Sequence, residues 1–247
     1  MKQRLILSIF AVGLVMAGAS ELRLAQEMRA LKAEVASLRS ALRSQSAATV
    51  RSRTGPPAVL PDEPLSLEGS QTKGNRTARA AFVVYSDFQC PYCASFARTT
   101  WPMIETEYVR TGQLLVAFRH FPLGNHGFAQ GAAEAAECAA QQRSFWPMHD
   151  RLFVDQSRLD SSSVRLSAAA LGLDPQRFDS CMKGEATERV KADLEGGRAI
   201  AVTGTPTFFL GVLQSDGRLD VKLRFSGTKT FDQFKTAIDS LLASSGQ

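Results

Sequence analysis

The sequence predicts an α/β fold in which a βαβ unit, an all-helical insertion and a ββα unit follow one another. Three observations predict it. Two strand-like apolar runs, Ala81–Tyr85 and Gln113–Leu123, flank a helical stretch. Residues 127–198 then carry helix-type composition without a strand signal. After them, "GTPTFFLGVLQ" and "GRLDVKLRFSG" return to strand character before a final amphipathic segment. At 247 residues, 44% apolar and 21% charged, the chain has the composition of a globular protein able to build a sizeable core.

Taken in order, the first residues read as an address. Lys2 and Arg4 precede 16 uncharged residues, Leu5 to Ser20, fewer than the roughly 18–20 of a membrane-spanning helix. Ala17-Gly18-Ala19 has the small-x-small form of a signal-peptidase site. Residues 1–19 are therefore expected to be a secretory signal, or else an uncleaved membrane anchor. Either places the remainder outside the cytoplasm, in a bacterial-type cell in the periplasm, where disulfides persist. Residues 20–43 carry a heptad seam, Leu24, Met28, Leu31, Val35, Leu38 and Leu42, with leucine at each d position. Under three heptads long, this short coiled-coil helix is marginal alone. It reads either as a homo-oligomerisation stalk through residues 24–42 or as an amphipathic helix leading away from a membrane. Residues 44–64, rich in Ser, Pro and Arg, read as a linker.

The net charge of +5 is partly local, since residues 20–60 hold seven Lys/Arg against three Glu. No basic patch is interleaved with aromatics, so nucleic acid is not an expected partner.

The globular region is expected at 65–247. "PLSLEG" suits a first edge strand, and "RAAFVVYSDF" holds a buried central strand. A helix is expected from Cys90 to about Arg110, kinked or broken at Pro102. Within the insertion, about 127–198, helices are expected at "FAQGAAEAAECAAQQ", "FWPMHDRLF", "SSSVRLSAAALGL" with a serine N-cap, "DPQRFDSCMKG" and "EATERVKADLEGG". A hairpin across Ser215-Asp216-Gly217 precedes a last helix, whose apolar face holds Phe231, Phe234, Ile238, Leu241 and Leu242. Phe145, Trp146, Met148 and Phe153 are expected in the core of the insertion, Trp101 at the seam between the two parts, and His149 hydrogen-bonded on its helix.

The chemistry centres on "SDFQCPYCASF". A structural zinc site needs four ligands, and only one Cys-x-x-Cys pair is present. A disulfide closing so short a loop removes little chain entropy, so a structural staple is also a poor reading. A redox pair uses every feature. Cys90 follows a strand and opens a helix, where unpaired N–H groups and the dipole lower a thiol's pKa. Pro91 suits the first helical position because it lacks an N–H that would be orphaned there. Cys93 lies one turn in, on the same face, and can resolve a mixed disulfide made by Cys90.

Together "SDFQCPYC", "FRHFPL", "FWPMHDRLF" and "GTPTFF" resemble the DsbA-like branch of the thioredoxin superfamily. Cys-Pro-Tyr-Cys alone is a moderate signal; Gly-Thr-Pro-Thr about 110 residues downstream makes the combination specific. The resemblance covers about Leu65 to Leu242 and implies a thioredoxin fold interrupted by a helical domain. It implies a cis Thr205–Pro206 peptide beside Cys90, where an extended substrate segment can pair with the Thr205 backbone. The implied site is Cys90 and Cys93 with a loop of Pro91, Tyr92, Thr205 and Pro206. Its only cofactor is the Cys90–Cys93 disulfide itself. Relatives commonly carry a buried acid six residues before the first cysteine; Val84 stands there, with Asp87 or water as substitutes for its proton transfer. Tyr92 brings no positive charge to the thiolate, so oxidation weaker than that of a histidine-containing relative is expected.

The implied function is a periplasmic thiol–disulfide oxidoreductase acting on exported proteins with free or mispaired cysteines and recycled by a membrane redox partner. In the expected cycle a substrate thiolate attacks Cys90, and Cys93 then releases the oxidised substrate. Two rivals stand: an oligomeric isomerase or reductase of the same fold, and a non-enzymatic anchored thiol or copper-binding module. Cys138 and Cys181 keep three readings: a structural disulfide, two buried free thiols, or a second shuttle.

Overall fold

In the computed structural model, the described residues are Met28, 32–37 and 60–244. The signal or anchor expectation for residues 1–19 lies outside them, as do most of the coiled-coil and linker stretches. Met28 and residues 32–37 are helical and exposed, in a unit separate from the rest.

From Leu65 onward a six-stranded sheet forms the centre. Its strands are β1 (Leu65–Ser66), β2 (Gln71–Lys73), β3 (Ala80–Ser86), β4 (Leu114–His120), β5 (Thr207–Leu213) and β6 (Arg218–Ser226). They lie in the order β1-β6-β5-β3-β4-β2. β3 and β4 are parallel and every other pair is antiparallel. All seven residues of β3 are buried, which is why its run is apolar throughout rather than alternating.

Side chains on β3 alternate between two cores. Ala80, Phe82 and Val84 join a large cluster with the flanking helices and the insertion, while Ala81, Val83 and Tyr85 join a smaller one on the opposite face. β5 and β6 shift register at Leu210/Gly211. There a Cβ on Gly211 would lie 2.0 Å from the Asp220 carbonyl oxygen, so only glycine permits the approach.

The helix after Cys90, α1, runs on through Pro102: of the kink or break expected there, the break does not occur, and the helix departs from α geometry instead. It comprises α-helical Pro91–Ser95, π-helical Phe96–Thr100, α-helical Trp101–Ile104 and π-helical Glu105–Val109. The chain accommodates Pro102 by widening the turn before it: the Trp101 N–H bonds the Phe96 carbonyl, five residues back.

The insertion supplies α2 (Ala129–Ala140), α3 (Phe145–Val154), α4 (Ser161–Ala170), α5 (Pro175–Cys181) and α6 (Thr187–Ala199); α7 (Phe231–Ser244) closes the fold. The cap of α4 is Asp160 rather than a serine, because its carboxylate accepts from both the Ser162 and Ser163 N–H groups. A disulfide joins Cys138 on α2 to Cys181 on α5.

Phe145, Trp146 and Phe153 do more than fill the insertion. Phe145 and Trp146 pack on Phe118 of β4, Phe153 packs on Phe88, and Trp146 stacks on Trp101 of α1 at 5.5 Å. The aromatic residues of α3 thus form the seam itself. α6 is fastened to the end of β4 through Asp193, which is 2% exposed. It accepts from Arg119 at 2.6 Å and from the His120 N–H at 3.0 Å, and pairs with Arg189.

Candidate functional site

The site forms where β3 ends and α1 begins. Asp87 to Cys90 turn the chain through the strand–helix junction, and the Cys90 N–H closes that turn on the Asp87 carbonyl at 3.1 Å. Both Asp87 carboxylate oxygens are engaged: the Gln89 N–H donates to one at 2.7 Å, while the Leu123 N–H and the His126 ring meet the other at 2.8 Å. On the far side, the Gln89 side-chain oxygen accepts from the Phe128 N–H at 2.8 Å.

Cys90 is the N-cap of α1, with extended backbone angles, and Pro91 fills the first turn. The pair is in the dithiol form. Cys90 is 3% exposed and Cys93 fully buried. Both thiols are thus buried in the reduced pair, and they differ in ionisation. The Cys90 pKa is pulled from 9.0 to about 5, chiefly by the Cys93 thiol donating to its sulfur. Thr205 and the N–H groups of Cys93 and Tyr92 add to this and outweigh burial. Cys93 moves the opposite way, raised first by burial and then by the Cys90 charge beside it.

Thr205 and Pro206 come to the same place from the far end of the chain. The Thr205–Pro206 bond is cis. The Thr205 carbonyl lies 3.4 Å from the Cys90 sulfur and accepts from its S–H. The Thr205 hydroxyl is buried without a hydrogen-bond partner among protein groups. It is free to turn toward a thiolate. Tyr92, at 62% exposed, projects to solvent next to the pair, and Phe128 is 51% exposed.

Val84 is buried among apolar neighbours, so no acid stands six residues before Cys90. The Asp87 carboxylate is committed to its own partners, leaving the Ser86 hydroxyl and the Asp87 backbone as the polar groups at the Cys93 thiol. Burial pushes the His149 pKa down against the pull of Asp150, 2.8 Å away, and keeps the ring neutral within its aromatic surroundings. Cys138 and Cys181 are bonded to each other and take no place beside Cys90. Among the described residues, no group of three or more His, Cys, Asp or Glu side chains is placed to hold a metal ion.

Sequence reasoning missed one residue at the site. Gln156, in the turn after α3, donates through Nε2 to the Phe88 carbonyl at 2.9 Å and the Cys90 carbonyl at 2.8 Å. Its surroundings, "VDQSRLD", read as an ordinary polar loop, and nothing local marks it.

Residues 66–240 match the family described as Thioredoxin. Among solved structures, the chain is similar to alpha-DsbA1 of Wolbachia pipientis (TM-score 0.66, 24% identity, 73% of this chain and 94% of that one). It is also similar to BdbD of Bacillus subtilis (TM-score 0.62, 21% identity, 73% and 96%). A third is the catalytic domain of Proteus mirabilis ScsC (TM-score 0.58, 20% identity, 71% and 90%). Curated relatives include proteins named Na(+)/H(+) antiporter NhaA 3 of Salinispora tropica, 34% identical over 161 residues, and NhaA of Herminiimonas arsenicoxydans, 35% identical over 167. The match spans 64% and 67% of this chain but only 24% and 26% of those relatives' own lengths. The matched residues, the sheet order and the inserted helices together lead to one conclusion: the chain belongs to the Thioredoxin family, and its fold carries a helical insertion.

Proposed function

We infer that the chain is a thiol–disulfide oxidoreductase that introduces disulfide bonds into exported proteins in the periplasm through Cys90 and Cys93. One observation carries this reading: two cysteines one helical turn apart whose ionisation is driven in opposite directions, the outer down to about 5 and the inner up. A stabilised Cys90 thiolate stabilises the reduced protein, and that makes its disulfide an oxidant.

In the forward cycle a substrate thiolate attacks the Cys90 sulfur of the oxidised pair. The Cys90–Cys93 bond breaks, a Cys90–substrate disulfide forms, and Cys93 leaves and takes up a proton. The expectation that Cys93 then releases oxidised substrate is corrected by electron balance: attack by Cys93 on Cys90 re-forms the original disulfide and returns the substrate as a thiol. Release of oxidised substrate requires a second substrate thiolate attacking the substrate sulfur, with Cys90 leaving as the thiolate its surroundings favour. The protein is left reduced by two electrons. A membrane redox partner with a disulfide of its own takes those electrons and restores the bond.

The Thr205 backbone beside Cys90 offers an extended substrate a place to pair as an added strand. The antiporter activity in the curated relatives' names is not carried over, since the chain matches about a quarter of their length. An oligomeric isomerase is the second reading. It is supported by Met28 and Val35, heptad residues that are helical and exposed.

Equilibrating the parent chain with glutathione, alongside Cys90→Ser, tests the proposal. A pair that is reduced more readily than glutathione disulfide, with all thiol oxidation lost in the variant, supports it; oxidation surviving Cys90→Ser overturns it. Reshuffling of scrambled ribonuclease by an oligomer selects the isomerase instead.

A further inference from the structure

We propose that Gln156, carried by the inserted helical domain, is a positioning residue that fastens the backbone around Cys90 and so aims its sulfur at the start of α1. This deepens the function proposed above and rests on Cys90 being the attacking thiol.

The geometry is specific to one amide group. Gln156 Nε2 has two hydrogens and two acceptors, the carbonyls of Phe88 and Cys90, at 2.9 and 2.8 Å. Those carbonyls lie on either side of the Cys90 amide. The Cys90 carbonyl also accepts the first helical bond of α1, from the Ala94 N–H at 3.1 Å. Gln156 thus fastens the junction at the point where the helix starts.

The residue is itself held. It sits in a turn closed by the Arg158 N–H on the Asp155 carbonyl at 2.7 Å. The neighbouring end of α3 is tied to α1 by Arg98, which donates to the Phe153 carbonyl at 3.2 Å. Two independent tethers therefore join the C-terminal end of α3 to the N-terminal end of the redox helix.

The consequence follows from what lowers the Cys90 pKa. The N–H groups of Tyr92 and Cys93 and the Thr205 group act only while the sulfur sits over the helix start. Gln156 fixes the peptide after Cys90 and the one before Gln89, and the Cys90 N–H on the Asp87 carbonyl fixes the peptide between them; together they set the direction of the Cys90 Cα–Cβ bond. Without the amide, the Phe88 carbonyl loses this donor and the Cys90 carbonyl keeps only the Ala94 N–H, the first turn loosens, and the sulfur spends less time facing its donors. On this account the insertion does more than cover the site: it supplies part of the chemistry's alignment.

Gln156→Met and Gln156→Ala in the full chain test this. Met keeps the side chain's length without a donor; Ala removes both. The readout is the ionisation midpoint of Cys90 in the reduced protein, followed by thiolate absorbance without substrate. Both variants are expected to raise that midpoint by about one pH unit, tenfold in the ionisation equilibrium. The redox equilibrium with glutathione is expected to move up to the same tenfold toward a weaker oxidant.

A packing role predicts a parent-like midpoint for Gln156→Met and, for Gln156→Ala, lower thermal stability at an unchanged midpoint. Unmoved midpoints overturn the proposal, and if the alanine variant does not fold, the methionine variant alone decides. A parent chain whose Cys90 already titrates as an ordinary thiol overturns the redox reading itself, which separates the two failures.

Discussion

Reducing the Cys90–Cys93 pair should make the protein's stability depend on pH in a way the oxidised form does not share. In the reduced, folded chain Cys90 loses its proton at about 5 against 9.0 for the ordinary thiol. The unfolded chain therefore binds more protons between those values, and reduced-state stability rises with pH. That contribution is fully present above the unfolded value and is lost as pH falls through about 5. Cys93 is silent below about pH 8, because it is protonated both folded and unfolded; above the ordinary thiol value it reverses the slope, since burial keeps it protonated only in the folded state. A tenfold change in proton binding is worth ~1.4 kcal/mol, so between about pH 5 and pH 8 the reduced form should gain about 3–4 kcal/mol over the oxidised form. Other titrating groups are common to both forms and largely cancel in the difference. Urea unfolding of each form across this range measures it, and in Cys90→Ser the extra slope of the reduced form should vanish. Parallel pH profiles for the oxidised and reduced proteins would refute the reasoning.

Three further outcomes follow. Cys93→Ser should accumulate a mixed disulfide, visible by mass, when its Cys90 thiolate attacks a substrate disulfide and releases the substrate's other sulfur as a thiol, because the Cys93 thiol that would attack the Cys90 sulfur and cleave that bond is gone. Replacing Cys138 and Cys181 together by serine frees a 43-residue span and should lower unfolding stability by about 4 kcal/mol, read from the urea midpoint, with the Cys90 ionisation unchanged. Asp193→Ala leaves Arg119 and Arg189 without their buried carboxylate and should cost about 3–5 kcal/mol in thermal or urea unfolding, while Asp216→Ala on the exposed hairpin turn should cost little.

Local patterns made much of the fold legible. The apolar run of β3 is continuous because both sheet faces are covered. The helices of the insertion are marked by alanine-rich and amphipathic stretches, and the β5–β6 turn by Ser215-Asp216-Gly217. The redox pair was legible because Pro91 and a helix start are themselves local features. What escaped depends on partners far along the chain. β2 is three residues, Gln71–Lys73, with no strand propensity to notice, and exists because β4 offers an edge. The aromatic residues of α3 are equally suited to an internal core and to a seam; only the positions of Phe118 and Trp101 decide. Asp160 outcompetes the serines beside it as a cap because a carboxylate accepts two N–H groups at once. Gln156 is an unremarkable loop residue until the chain brings it 66 positions back to Cys90.

The central claim is that one sulfur of the pair is ionised at neutral pH while its neighbour is not. Ultraviolet titration of thiolate absorbance in the reduced parent chain, repeated on Cys90→Ser, measures this directly. The account predicts a single ionisation near pH 5 that disappears in the variant, with the second thiol silent past neutrality. An ionisation midpoint near 9.0, or two thiols losing protons together, would contradict it.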